Sequence, residues 1–226
     1  MIVESKNTVM NIFDLSQKQT EVFVIPIFLD LHKHPASNQL SLLYLASKTE
    51  DYIIPINHPD SDISFSYEQI EGILNKFSYI YVNDKKEFLH IFKWGTSKSR
   101  KVIDLNLSSW FKTNIPIDTT DLSTTAHDFI ERKYTSFPRV NTIIPIYKHL
   151  EKCKSVKENT YKQYITNDLQ QAKAYKRYNE EMLYNLYLIE SSGLYTKDST
   201  EYTQYNPYTS TGRPSNRYNG INYAAL

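Results

Sequence analysis

The chain has little cysteine, little glycine and no long apolar run, and each shortage excludes a class of protein. A single cysteine, Cys153, cannot form an internal disulfide framework or, by itself, a zinc site, which is typical of proteins from a reducing cytoplasm. Five glycines do not build a P-loop or a dinucleotide-binding fingerprint. No stretch approaches the roughly 20 apolar residues that span a bilayer, and charged residues interrupt the amino-terminal segment, so it contains no signal-peptide core. We therefore expect a soluble, cytoplasmic protein without a membrane partner.

The chain also lacks an excess of charge of either sign, because its formal net charge is only +1. Any contact with nucleic acid would therefore depend on local clusters rather than on overall attraction. One such cluster lies between Glu151 and Tyr178, where seven basic residues accompany three acidic ones. A basic helix face of this kind can follow phosphates, but an ordinary solvated face has the same composition. The sequence leaves both interpretations open.

Aromatic residues divide the chain into two parts. All ten phenylalanines and both tryptophans precede residue 138, whereas twelve of the nineteen tyrosines follow residue 160. A length of 226 residues allows one large domain or two modest ones. We interpret the first part as a compact domain with its own core and the second as a more polar extension.

The hydrophobic pattern of the first part predicts an α/β domain. Three apolar runs separated by short polar segments predict antiparallel strands, and the apolar spacing that follows alternates between helix and strand. We expect Asp84 to cap the second helix and Gly95 to end it. The predicted elements are strands at 21–31, 40–46, 52–56, 79–82 and 101–107, with helices at 67–77 and after Asp84. This order fits a mixed sheet with helices packed against it.

The second part begins with a long apolar periodicity. From about Thr160 to Ser192, apolar residues recur every three or four positions without a proline, which predicts one long amphipathic helix or two joined end to end. Gly193 is then available to end the helix. Beyond it, the last eighteen residues place Gly, Pro, Ser and Asn around two arginines, which indicates a loop that precedes a strand.

That loop carries the motif Thr211-Gly212-Arg213-Pro214-Ser215. It resembles the T-G-R-(L/P)-S segment of family A DNA polymerases, the phage and bacterial DNA polymerase I class, at the entrance to the palm. The resemblance implies that Arg213 contacts the minor groove at the primer end. Thr211, Ser215, Asn219 and Asn222 would contribute further DNA contacts, the two asparagines only if one residue is gapped. A solvated surface loop is the alternative interpretation of the same residues.

The resemblance also implies an RNase H-like 3′-5′ exonuclease domain ahead of the polymerase. Such a nuclease needs two metal ions about 3.5–4 Å apart, held by several carboxylates. In the family these are an Asp-x-Glu pair on the first strand, an Asp on the helix after the fourth strand, and a Tyr-x-x-x-Asp on a late helix. Asp30 matches the first ligand, and Glu87 matches the helix carboxylate. The remaining two positions depart from the pattern. His32 stands where the first-strand motif has Glu, and Pro138, four residues after Tyr134, stands where the late-helix motif has Asp. We therefore expect a degenerate site that binds metal weakly or not at all.

Other candidate residues carry less specific signals. Asp104 matches an acidic position on the family's fifth strand that is not a metal ligand, and a structural and a substrate-facing role are both open. His32, His34 and His58 can be interpreted as a transition-metal cluster or, more simply, as surface histidines in turns next to prolines.

Three hypotheses follow for the whole chain. The first is the amino-terminal part of a phage-type family A DNA polymerase. It would comprise an extension at 1–20, a degenerate exonuclease-like domain at 21–155, and a helical connector with the beginning of the polymerase domain at 156–226. Primer-template DNA would be its partner, whereas Mg²⁺ and deoxynucleotides would be used by palm carboxylates beyond Leu226. The second hypothesis is an active metal-dependent 3′-5′ exonuclease, and the third is a non-catalytic DNA-binding or scaffold module of the same fold. A viral protein would act in the host cytoplasm.

Overall fold

A five-stranded mixed sheet forms the centre of the computed structural model, which describes residues 1–3, 19–30, 33–114, 125–127, 141–161, 169–195, 197, 199–209 and 214–216. The strands lie in the order β3-β2-β1-β4-β5, and β2 runs antiparallel to the other four. This order and these directions are those of the RNase H-like fold, which confirms the predicted fold class for the sheet domain. The strands are β1 (Glu21–Phe28), β2 (Leu40–Ala46), β3 (Asp51–Pro55), β4 (Tyr79–Val82) and β5 (Val102–Asp104).

Alternating residues of the strands supply two separate apolar layers. In β1, Val22 and Val24 face one layer, whereas Phe23, Ile25 and Ile27 face the other. Helices α1 (Tyr67–Leu74) and α2 (Lys85–Phe92) contribute apolar side chains to the first layer, and α5 (Ile146–Tyr161) contributes to the second. Both faces of the sheet are therefore covered, as expected for strands that read as nearly continuous apolar runs.

Pro26 lies inside β1 and is paired with Leu43 of β2. On the other side of β1, the parallel ladder to β4 reaches only from Glu21 to Val24. Proline cannot donate to a ladder and is therefore tolerated best beside an edge or a bulge. Both conditions hold here, because the ladder to β4 has ended and the register with β2 shifts between Ile27 and Phe28.

Two predictions about the middle of the chain need correction. Gly95 does not end α2, because the left-handed residue after the helix is Lys93, with φ of 50°, and Gly95 precedes the short helix α3 (Thr96–Ser99) instead. The predicted strand at 101–107 is only three residues long. Asp104 accepts a hydrogen bond from the Leu107 backbone N–H and so begins helix α4 (Leu105–Thr113). A local cap therefore prevails over the apolar alternation that predicted a longer strand.

Between residues 169 and 192 the second part of the chain forms two helices joined end to end by a π-helical turn, which is the second of the two predicted arrangements. After α5 come α6 (Leu169–Arg177), a π-helical turn (Tyr178–Met182) and α7 (Leu183–Ser192), which packs on α2. Gly193 ends α7 as predicted, with φ of 59°. The remaining described strands form short two-stranded ladders, β6 (Thr125–His127) with β7 (Asn141–Ile143), β8 (Leu194–Tyr195) with β9 (Thr200–Glu201), and β10 (Tyr205–Asn206) with β11 (Ser215–Asn216).

The segments on either side of the predicted domain borders are joined to the sheet. Val3 is fully buried in the first apolar layer, and Ile2 bridges to Ile53 of β3. The border at 155 falls inside α5, where Cys153 and Val156, on either side of it, both belong to the second apolar layer. Among the described helices, none combines the length and the apolar character needed to cross a membrane.

Candidate functional site

The carboxyl ends of the parallel strands β1, β4 and β5 meet at one side of the sheet. Helix α2 begins there after β4, and helix α4 begins there after β5. Asp84 caps α2, because its Oδ1 accepts the backbone N–H groups of Lys86 and Glu87 at 2.8 and 3.1 Å. Asp104 caps α4 in the same way. We call this region the carboxyl end of the sheet, and it is where a nuclease of this fold would need its carboxylates.

Asp104 is fully buried, and hydrogen bonds from several segments surround its carboxylate. Its Oδ2 accepts the Lys85 backbone N–H at 2.8 Å, and its Oδ1 accepts the Leu107 N–H at 2.7 Å and the Tyr208 hydroxyl at 3.2 Å. Burial, followed by the nearby Asp84 charge, raises the pKa of Asp104 to about 7. The carboxylate joins the starts of two helices to the C-terminal segment. Of the two roles that the sequence left open, the geometry thus provides the structural one.

The two predicted metal ligands lie in different surroundings. Asp30 follows β1 in a loop that Asn38 closes, since the Asp30 backbone N–H donates to the Asn38 Oδ1 at 3.4 Å and the Asn38 amide donates to the Asp30 carbonyl. Glu87 is half-buried in the first turn of α2, and its charge contributes to a raised pKa of Tyr208, behind burial and the charges of Asp104 and Asp84. Glu87 is therefore near the Asp104 network, whereas the described contacts of the Asp30 backbone lie within its own loop.

Two lysines at the beginning of α2 are completely enclosed. Lys85 and Lys86 are 0% and 1% exposed. The Lys85 Nζ donates to the Asn179 carbonyl at 2.7 Å, and burial lowers the pKa of Lys85 to about 8. Asn179 lies in the π-helical turn, and its side-chain amide also pairs with β5, donating to the Val102 carbonyl and accepting the Asp104 N–H, both at 2.9 Å. Fixed positive charge therefore stands at the carboxyl end of the sheet, where hard cations would need negative charge.

Lys86 belongs to a second buried group, formed with Glu190 of α7. The Lys86 Nζ donates to the Glu190 Oε1 at 2.5 Å and to the Tyr205 carbonyl at 2.6 Å. The other carboxylate oxygen lies 3.1 Å from the His90 Nε2, and Oε1 also accepts the Tyr205 N–H at 2.7 Å. Burial raises the pKa of Glu190, but hydrogen bonds from His90 and Lys86 outweigh it and hold the pKa below its ordinary value. The carboxylate therefore stays ionised and paired.

His34 completes this group from the loop after β1. Its ring lies 5.0 Å from the His90 ring in an edge-to-face arrangement and is stacked on Tyr202 at 5.2 Å. Its Nδ1 accepts the Ala36 N–H at 3.1 Å, and its Nε2 lies 3.1 Å from the Thr203 carbonyl. Burial and the neighbouring His90 lower the pKa of His34 to about 4, so the ring is neutral at physiological pH. We call His34, Lys86, His90 and Glu190 the Glu190 cluster.

The histidine cluster predicted from the sequence is not the arrangement found. His34 lies beside the His90 ring, with a ring nitrogen within 4.8 Å of a Glu190 carboxylate oxygen, which the sequence did not suggest. His58 lies against His149 at 5.7 Å and bonds to the Ile144 carbonyl. His58 is also buried rather than exposed in its turn. His32 falls outside the described residues.

Most of the predicted DNA contacts cannot be placed. Thr211, Arg213, Asn219 and Asn222 lie outside the described residues. Ser215 is exposed in β11, where it pairs with Asn206. Pro214 lines a cleft of about 530 Å³ together with Arg177, Tyr178 and Asn185, among others, along the π-helical turn and α7. Part of the Thr211–Ser215 motif is therefore next to the helices that follow the sheet domain.

Sequence reasoning missed Lys85, Lys86, His90, Glu190 and Tyr208. One signal was available, because two lysines at the first positions of a helix oppose its dipole and call for a compensating partner. The sequence did not identify the partner of Lys86, because Glu190 lies 104 residues further along the chain.

Comparison with known proteins gives structural likenesses at low identity. No family model and no curated protein matches the chain. Escherichia coli RNase D, described as an exoribonuclease involved in structured RNA processing, is 10% identical over 80% of this chain, with a TM-score of 0.41. The catalytic core of RRP6 from Trypanosoma brucei is 9% identical over 83% of the chain with a TM-score of 0.38, and the Aedes aegypti Nibbler EXO domain is 13% identical over 84% with a TM-score of 0.39.

The extent of these likenesses differs between the proteins. The chain spans 50% of the RNase D structure and 49% of the RRP6 core, but 85% of the Nibbler EXO domain. The strand order and directions, rather than these weak overlaps, define the fold of this chain.

Proposed function

We propose that this chain is a nucleic-acid-binding module with an exonuclease-type fold that has lost metal-dependent cleavage. The observation that carries the proposal is the environment at the carboxyl end of the sheet, where both oxygens of Asp104 accept hydrogen bonds and two lysines are buried. Two-metal hydrolysis needs several oxygen ligands converging on both ions. Here Asp104 is bonded to backbone and hydroxyl donors, and Glu190 is paired with Lys86.

The described part of β1 is consistent with the loss. Its one acidic residue is Glu21, at the opposite end from the candidate site, and this carboxylate accepts the Tyr81 hydroxyl at 3.3 Å. The interior of the strand is apolar, from Val22 to Ile27. Without a carboxylate within that strand, an active site would have to rely on Asp30 in the following loop.

Nucleic-acid binding is supported by exposed basic side chains on the C-terminal helices. Lys173, Lys176 and Arg177 are exposed on α6, and Arg177 borders the 530 Å³ cleft beside Tyr178. Lys176 and Arg177 have acidic neighbours four residues on, but these pairs are solvent-exposed and therefore weak. Cationic groups next to an aromatic ring suit a single strand, whose phosphates and bases they can contact together.

A cleavage assay tests the loss of hydrolysis. The full chain is incubated with 5′-labelled single-stranded DNA or RNA and either Mg²⁺ or Mn²⁺, and we expect the labelled strand to remain intact. Cleavage that disappears in Asp30→Ala or Glu87→Ala would instead establish the alternative, an active exonuclease that uses displaced ligands. Cleavage that persists in both variants would also contradict the loss of hydrolysis, and would assign the activity to other carboxylates.

A binding assay tests the remaining half of the proposal. Fluorescence anisotropy of a labelled oligonucleotide is measured at 50 and 200 mM salt for the parent and for Lys173→Ala/Lys176→Ala. The control is Lys48→Ala/Lys76→Ala, which removes two exposed lysines from turns in the sheet domain. The α6 variant should bind more weakly and with a salt slope lower by about 1.4, since each lost phosphate contact contributes about 0.7. Equal effects of the two variants would contradict a binding surface on α6.

We further propose, from the Thr211–Ser215 motif, that the module is the front part of a family A DNA polymerase. Its support is the resemblance of that motif, together with the position of Pro214 beside Arg177 and Asn185 at the cleft. In a longer protein that includes the polymerase palm, Arg213→Ala should reduce primer extension strongly while leaving the thermal unfolding midpoint almost unchanged. Equal extension by the variant and the parent would contradict this role.

A further inference from the structure

The Glu190 cluster brings together donor atoms of a kind that proteins use to hold transition metals. One ligand atom each from His34, His90 and Glu190 lies within 4.8 Å of the others. The Lys86 ammonium, however, sits 2.5 Å from the same carboxylate. We propose that this ammonium takes the place of a divalent transition-metal ion, and that shortening Lys86 opens a site for Zn²⁺, with His34, His90 and Glu190 as ligands. This inference does not depend on whether the chain binds or cleaves nucleic acid.

The ammonium fulfils the requirements of a bound cation. The side chains of Lys86 and Glu190 are 2% and 0% exposed, so the positive charge has lost nearly all of its water. Two oxygen atoms, from Glu190 and from the Tyr205 carbonyl, replace that water at 2.5 and 2.6 Å. A buried carboxylate left without its partner is costly, so some cation must accompany Glu190. The contacts also join α2, α7 and the segment at Tyr205, as a structural metal ion would.

The ligand set has the chemistry of a zinc site. Two imidazoles with one carboxylate is a combination that zinc accepts, leaving a fourth position for water. The Ala36 N–H donates to the His34 Nδ1, which assigns the proton to Nε2, the nitrogen facing the Thr203 carbonyl. A metal ion would replace such a proton on binding. Mg²⁺ is a poor candidate, because it prefers oxygen ligands.

In the parent protein, the same ammonium should exclude the metal. A zinc ion beside Glu190 would meet a positive charge already bonded to that carboxylate, in surroundings that screen charges weakly. Lys86→Ala removes the charge and creates space in one step. It leaves His34, His90 and Glu190 unchanged.

Metal titration of three full-length proteins tests the proposal. The parent, Lys86→Ala and Lys86→Ala/Glu190→Gln are stripped with EDTA and titrated with ZnCl₂ by calorimetry. Thermal unfolding is recorded with and without zinc. Lys86→Ala should bind one zinc ion, and its unfolding midpoint should rise by about 5–10 °C at a zinc concentration of about 100 Kd. The parent and the double variant, which lacks the buried carboxylate, should show neither effect. Co²⁺ should give visible absorption only in Lys86→Ala.

Each alternative result has a defined meaning. Equal zinc affinity in the parent and in Lys86→Ala would show that the ammonium does not occupy the cation position, and would overturn the proposal. A folded Lys86→Ala that binds no zinc would overturn it as well. If Lys86→Ala is unfolded in EDTA, recovery of its helical circular dichroism on refolding in zinc supports the proposal, and failure to recover in zinc contradicts it.

Discussion

At the scale of single residues, the Asp104 carboxylate accepts hydrogen bonds that hold the fold together, and this leaves it poorly placed to bind a metal ion. Its two oxygens accept backbone N–H groups from the beginnings of two helices, α2 and α4, and the hydroxyl of Tyr208. A metal ion would have to compete with all three donors. The nearby Asp84 caps α2 alone and is half-buried, so the pair provides a matched comparison.

Asp104→Ala should lower the free energy of unfolding by about 2–5 kcal/mol, because it leaves the N–H groups of Lys85 and Leu107 buried without their acceptor. Asp84→Ala should cost about 1 kcal/mol, the usual contribution of an N-cap. Urea unfolding of both variants at neutral pH gives the comparison. Similar losses in the two variants would show that the buried network adds nothing to ordinary capping.

The pKa of Asp104 also predicts a pH dependence. Burial and the Asp84 charge raise it from its ordinary value of 3.8 to about 7, so the folded state holds a proton that the unfolded state has released. The stability from this proton is complete below about pH 4 and is lost as the pH rises through about 7. Asp104→Asn cannot ionise, so its free energy of unfolding should rise relative to that of the parent between pH 4.5 and 7.5. Urea unfolding at both pH values measures this change, and a constant difference would be the contrary result.

At the scale of secondary-structure elements, the π-helical turn and α7 complete the carboxyl end of the sheet. The turn presents the Asn179 carbonyl to Lys85 and the Asn179 amide to β5, and α7 supplies Glu190 to Lys86. Helix α7 must therefore stop at a defined point so that the chain can return to Tyr205. Gly193 provides that stop with a left-handed φ of 59°.

Gly193→Ala should lower the free energy of unfolding by at least about 1–3 kcal/mol, because Gly193 combines a φ of 59° with a ψ of 171°, a backbone region that is essentially restricted to glycine. Crowding adds to the loss, since a Cβ atom at this position would lie 2.6 Å from the Thr200 Cγ2. Gly72→Ala is the matched control. Gly72 lies within α1, and its Cβ atom would meet nothing within 4 Å, so this change should stabilise the protein by about 0.5–1 kcal/mol. Thermal unfolding of both variants should give shifts of opposite sign, and a neutral Gly193→Ala would contradict the conformational argument.

At the scale of the whole molecule, the sheet domain and the C-terminal helices share one buried polar system. Lys85 and Lys86 begin a helix of the sheet domain, but their partners Asn179, Glu190 and Tyr205 all come from the second part of the chain. Separating the two parts would leave the charges of Lys85 and Lys86 exposed or unpaired, whereas the intact protein encloses them. The two parts are therefore expected to fold as a unit.

A fragment of residues 1–161 should lack a cooperative thermal transition, because it retains both lysines and loses all three of their partners. A fragment of residues 1–209 keeps these partners and serves as the control. Circular dichroism melting and limited trypsin digestion of the two fragments provide the measurements. A fragment of residues 1–161 that melts as cooperatively as the longer control would show that the sheet domain is independent.

The sequence alone was sufficient for most of the sheet. Its strands are apolar runs bounded by polar turns, and the capping role of Asp84 follows from a local pattern, so both were predicted. Local patterns were less reliable where two of them compete. The alternation at 101–107 indicated a strand, but the side chain of Asp104 starts a helix there. Gly95 was expected to end α2, and Lys93 does so in a left-handed conformation.

The sequence determined the mixed α/β class of the sheet domain, because that class depends on which residue types stand along each strand and helix. The tertiary structure alone decided how the charged side chains at the carboxyl end of the sheet are paired. Lys86 and Glu190 are 104 residues apart, and no local pattern shows that they meet. Only the packing of α7 on α2 removes both from water, and it is this burial that converts a lysine and a glutamate into a fixed ion pair.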